Sequence, residues 1–159
     1  MDTTNQYIKM CEKAIEIQEP WTPEIGDYVW RKYTLLGEEI DRQIWKEDQM
    51  KEIIILHYKS MVDGYFHACN EKGETRTFKT TESIQKATCV FLLRQDQLQA
   101  MVKEYLTSWQ LTQYFWNWLW TKEPVTTCLS TEQLWLAFVM FEKFNKTWDG
   151  DDWQKGEGR

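Results

Sequence analysis

The chain predicts an α+β fold: an antiparallel sheet of four to five strands, preceded by an N-terminal helix and followed by a C-terminal helical layer. Three observations predict it. Apolar residues recur at three- and four-residue steps near both ends, the middle holds β-branched and aromatic runs separated by turn-forming residues, and Ser130-Thr131-Glu132-Gln133 has the spacing of a helix-starting capping box. At 159 residues the chain is long enough to bury a core without disulfide or metal staples. A single domain over 1–153 is expected, with a polar, disordered tail over 154–159.

Taken in order, residues 4 to 18 place Tyr7, Met10, Cys11, Ala14 and Ile17 on one stripe, with Thr3 and Gln6 spaced as a capping box. Pro20 and Pro23, flanking Trp21, end that helix and carry the chain extended toward Gly26-Asp27. Tyr28 to Tyr33 reads as a strand, and the charged stretch from Glu38 to Met50 fits either a short helix or an irregular strand. Ile53 to Tyr58 is a dense β-branched run suited to a central strand. Turns at Val62-Asp63-Gly64 and Glu71-Lys72-Gly73 separate strands over Tyr65–Asn70 and Glu74–Thr80, and Thr88 to Leu93 is one strand more.

Leu98, Val102, Tyr105, Trp109, Thr112, Trp116 and Leu119 then form the seam of one long helix, or of two broken near Thr107-Ser108. Strand-like alternation of Tyr114, Trp116, Trp118 and Trp120 competes with this, and helix is preferred. Glu123-Pro124 ends the segment. A last helix runs from Ser130 to about Lys146; Leu134 to Phe141 is apolar all round and must be covered on most sides. Beyond it, Trp148 to Trp153 forms a closing turn whose two indoles fold back onto the helix pair.

Composition excludes more than it proves. A formal charge of −6 lacks the Lys/Arg excess of a nucleic-acid footprint. Four cysteines, at 11, 69, 89 and 128, form no paired pattern and fit reduced thiols. No basic stretch leads into an apolar run at the N-terminus and no segment is long enough to span a bilayer, so a cytoplasmic location is expected. The Asn145-Lys146-Thr147 sequon is then a chance match.

Several signatures occur together: Trp21-Thr22-Pro23 before Gly26-Asp27, Arg94-Gln95-Asp96-Gln97-Leu98-Gln99, Glu132-Gln133-Leu134-Trp135-Leu136-Ala137-Phe138-Val139-Met140, and Trp148-Asp149-Gly150 with Trp153. The set, in this order, resembles small uncharacterised accessory proteins of phages and prophages in gut-type bacteria. Members of that group often carry Pro before the Arg-Gln-Asp-Gln run, where Leu93 stands here, and the segment 38–80 is the least similar. The resemblance supplies no catalytic residue. It implies a phage accessory protein acting in the host bacterial cytoplasm, a class rich in inhibitors of host defence and host enzymes.

Catalytic and metal patterns are thin. His57, His67 and Cys69 match no known zinc spacing, and Asp149, Asp151 and Asp152 with Gly150 lack the closing Glu of a calcium loop. The two histidines stand in no nucleophile motif, the run Glu38, Glu39, Asp41 reads as a solvated face, and the seven glycines form no phosphate-cradling loop. No catalytic residue, cofactor or metal is therefore expected.

Ten tryptophans are the exception to this blandness. A domain of this size leaves about a third of its extended-chain surface in water, so some rings should stay wet. Trp109, Tyr114, Trp116, Trp118 and Trp120 are the expected protein-binding residues, an aromatic surface rimmed by acidic side chains that docks a host protein. A second reading makes an oligomer a sponge for a nucleotide-type signal, with Trp30, Tyr33 or Trp118 against a base and Arg31, Lys32 or Arg94 on phosphate. A third leaves the same rings to a core and a homo-oligomer interface without any ligand.

Overall fold

The computed structural model describes residues 1–22, 24–31, 52–59, 65–70, 75–79, 89–102, 106–122 and 130–156. Helices and antiparallel strands are mixed along it, in the order α1 (Asn5–Lys13), α2 (Ile15–Gln18), β1 (Tyr28–Arg31), β2 (Glu52–Lys59), β3 (Tyr65–Asn70), β4 (Thr75–Lys79), β5 (Cys89–Leu92), α3 (Gln95–Val102), α4 (Ser108–Lys122), α5 (Thr131–Phe144), β6 (Lys146–Trp148) and β7 (Trp153–Lys155). The expected element over 38–50, the two turns at 62–64 and 71–73, and Glu123-Pro124 lie outside the described residues. The chain divides into two compact units, Ile17–Leu92 and the pair of segments Met1–Glu16 with Leu93–Arg159.

The first unit is the sheet, with its strands in the order β4-β3-β2-β1-β5. β2 therefore lies in the middle, as its β-branched density suggests. Register sets Val29 opposite Ile54 on one side and Phe91 on the other, and Trp30 opposite Ile53 and Val90. Pairing of β2 with β3 shifts between Leu56 and Tyr58, which puts the irregularity at His57. At the β5 edge, Gln18 acts as a one-residue substitute for a neighbouring strand: its amide donates to the Phe91 carbonyl at 2.9 Å and accepts from the Phe91 N–H at 3.0 Å. Trp21 stacks on the Phe91 ring, with centroids 4.9 Å apart. Its indole N–H donates to Asp27, whose same oxygen accepts the Glu24 N–H. Gly26, at φ 92°, makes the turn that brings Asp27 back.

The second unit is built on α5. Trp135 and every residue from Leu136 to Met140 are buried. The helix starts as its sequence requires: Ser130 is the N-cap and accepts the Gln133 N–H at 3.2 Å. The Gln133 side chain reaches the Asp2 carboxylate at 2.7 Å, and the Ser130 hydroxyl donates to the same oxygen at 2.5 Å. Asp2 also accepts the Thr4 N–H at 2.8 Å. One buried carboxylate thus ties the start of α1 to the start of α5. Burial alone would raise its pKa, but these hydrogen bonds outweigh that and hold it below the usual carboxylate value.

α1 buries the expected residues Tyr7, Met10 and Cys11, and Ala14, just past its end, is buried as well. Its N-cap is Thr4 rather than Thr3, and the helical run stops at Ala14 before resuming as α2. The Asp2 bond to the Thr4 N–H accounts for the shift, because it fixes Thr4 in the extended conformation a cap needs. At the other end, Asn145 closes α5 in the left-handed region at φ 51° and bonds Gly156 through both backbone and side chain. The closing segment is a β6–β7 hairpin whose second strand, to Lys155, falls within the stretch expected as a tail. Asp149 takes the N–H groups of Asp151 and Asp152 at 2.8 Å each. Trp148 and Trp153 pair across the hairpin, and the Trp153 indole N–H donates to the Met10 carbonyl of α1.

Candidate functional site

α4 carries the aromatic cluster, and it is a helix. Thr107 and Gln110 start it with a reciprocal pair, the Thr107 N–H to the Gln110 side chain at 2.9 Å and the Gln110 N–H to the Thr107 hydroxyl at 3.3 Å. That cap supplies the break from α3 that the Thr107-Ser108 position suggests.

The helix has two apolar faces, and only one is covered. Leu111, Phe115 and Trp118 are buried, at steps of four and three. The Phe115 ring lies flat on Trp135, with centroids 4.0 Å apart, and meets Phe138 edge-on at 5.4 Å. Trp118 meets Phe138 at 5.2 Å and Phe141 at 6.1 Å. The expected seam through Trp109, Thr112, Trp116 and Leu119 is therefore out of phase. Both rows have helical spacing, and the rings of α5 select the row that stacks.

This assignment sorts the expected contact residues. Trp109 is 70 % exposed, Trp116 54 % and Trp120 79 %, with Tyr114 at 43 %. At about 100° per residue the three tryptophans fall within about 40° of arc, a single stripe about 16 Å long. Trp118 stands opposite them and is 5 % exposed, so it belongs to the core and not to the contact surface. Tyr114 lies at the border, its hydroxyl donating to Glu142 of α5 at 2.7 Å while its ring sits edge-on to Phe138. The remaining outward positions, Thr112, Gln113 and Asn117, are polar and uncharged. No Asp, Glu, Lys or Arg occurs from Tyr105 to Thr121, so the helix carries no acidic rim of its own; the carboxylate at its border is Glu142.

The residues of the nucleotide reading are differently placed. Trp30 is half-buried on β1, and the Arg31 side chain, Lys32 and Tyr33 lie outside the described residues. Arg94 is engaged by Asp96 through two bonds, 3.0 and 3.2 Å, and its guanidinium holds that carboxyl below its usual value. A phosphate would have to displace this pair.

Other chemistry-bearing groups serve the fold. Tyr7 is fully buried and donates to the Leu93 carbonyl, and burial pushes its hydroxyl pKa up. Burial pushes the Cys11 thiol up to about 12, which leaves it without thiolate character at neutral pH. Asp151 and Asp152 of the hairpin turn pair with Lys9 and Lys13 of α1. Side chains of His57, His67 and Cys69 are outside the described set, as are Glu38, Glu39 and Asp41. Among the described residues no helix is long and apolar enough to cross a membrane.

No family model, curated protein or solved structure matches this chain.

Proposed function

We propose that the chain works by binding and not by catalysis: the outward face of α4, through Trp109, Trp116 and Trp120 with Tyr114 at its margin, docks a host protein and covers its working surface. It does so as a phage accessory protein in the host bacterial cytoplasm, with no cofactor or metal. The antiparallel sheet of four to five strands is scaffold in this reading, not contact surface.

One observation carries the proposal. Three indoles share one outward stripe while the inward row of the same helix is satisfied by α5. A stripe the fold does not need, in the residue type most enriched at binding hot spots, is the mark of a recognition surface.

The test is affinity capture from a bacterial host with tagged wild-type protein beside Trp116→Ala and Trp120→Ala. A single stoichiometric partner should be recovered by the wild type. Each substitution should weaken it by about 2 kcal/mol or more, roughly 30-fold, at a central ring. Equal recovery by wild type and both variants would assign the contact to another surface.

A further inference from the structure

The α4 stripe is neutral in a chain of net charge −6, and that neutrality says which surface can meet it. Two copies of net charge −6 repel one another overall, whereas along α4 no Asp, Glu, Lys, Arg or His stands between Tyr105 and Thr121 to add to that repulsion. We infer that a second copy of this chain occupies the stripe in the free protein, as a two-fold dimer of antiparallel α4 helices.

The spacing is self-complementary. A two-fold axis midway between Trp109 and Trp120 sets each of these rings opposite the other's copy. It also sets Trp116 opposite Gln113 and Thr112 opposite Asn117. Each helix then offers an indole N–H where its mate offers an amide oxygen, and every outward polar position meets an uncharged one. A host partner has no such built-in match.

Area fixes the strength. The combined exposure of the three rings equals about two whole tryptophans, roughly 300 to 500 Å² by the area an aromatic can bury. A standard stable interface covers about 800 Å² per partner. The dimer is accordingly a weak, exchanging one that keeps the indoles from water yet releases them. It uses the same stripe as the proposed docking reaction, and its test needs only the purified chain, so its failure would leave host docking standing.

The experiment is analytical ultracentrifugation of the purified protein from about 1 to 200 µM, where mass action shifts a weak dimer. The weight-average mass should rise from the monomer toward twice that value, and added salt should not reverse the rise. Trp116→Glu and, separately, Trp120→Glu, each checked for an unchanged circular dichroism spectrum and melting temperature, should stay monomeric throughout. A wild type that remains monomeric over the whole range would overturn the inference, as would folded Glu variants that dimerise like the wild type.

Discussion

α4 and α5 lie side by side and look alike in composition, yet they are used in opposite ways. α5 is buried almost throughout its centre, from Trp135 to Met140, and is capped at both ends by bonds to other parts of the chain. α4 is capped by its own first turn, buries one row, and leaves tryptophans 70, 54 and 79 % exposed on the other. The difference teaches that aromatic content does not by itself locate a core. What locates it is which row finds a stacking partner.

The comparison can be broken most easily at its shared joint. Phe138, fully buried, touches Tyr114, Phe115, Trp118 and Trp135. Phe138→Ala is expected to cost about 3–5 kcal/mol of folding free energy in urea titrations, the range for emptying an aromatic site. A loss under 1 kcal/mol would mean that α4 and α5 are not packed as described.

Next in size is the Asp2 clasp. Removing its carboxylate with Asp2→Ala leaves the Gln133 amide, which is buried, without its shorter bond. About 1–3 kcal/mol should be lost. The pH dependence follows from the sign of the shift. Burial raises the Asp2 pKa but the hydrogen bonds lower it further, and at Glu16 burial likewise opposes a lowering by Lys146, 2.5 Å away. Both contributions are fully present above the unfolded carboxylate values of about 4 and fade as pH falls through the lower folded ones. Wild-type stability should therefore drop in acid below about pH 4, and Asp2→Asn should flatten part of that limb; an unchanged acid limb would remove Asp2 from the account.

Smaller again is Asn145. At φ 51°, Asn145→Ala should cost about 1–2 kcal/mol from left-handed strain, together with its side-chain bond to the Gly156 carbonyl. Asn145→Gly should recover the strain and not the bond, and equal melting temperatures for the two variants would contradict that division.

How much of this was legible in the chain depended on how local each signal was. The Ser130 cap and the α1 stripe were readable because each is decided within a few residues. The break between α3 and α4 was readable for the same reason. The α4 phase was not, because Trp109-Thr112-Trp116-Leu119 and Leu111-Phe115-Trp118 are both helical rows, and only Trp135 and Phe138, from a later element, choose between them. For the same reason Trp118 could not be separated from its neighbours as a site residue. The hairpin was read only as a turn, although an aromatic on each side of Asp149-Gly150 was a usable signal for paired strands. The Thr4 cap depended on Asp2, a partner set by tertiary contact rather than by spacing.

The central claim is that the outward indoles of α4 serve contact and not folding. It is tested most directly by the unfolding free energy of the triple variant Trp109→Ala, Trp116→Ala, Trp120→Ala, measured beside wild type. The account predicts a change within about 1 kcal/mol, the scale of exposed substitutions. A loss of several kcal/mol would show that the stripe is part of the fold's own support and would contradict its assignment as a recognition surface.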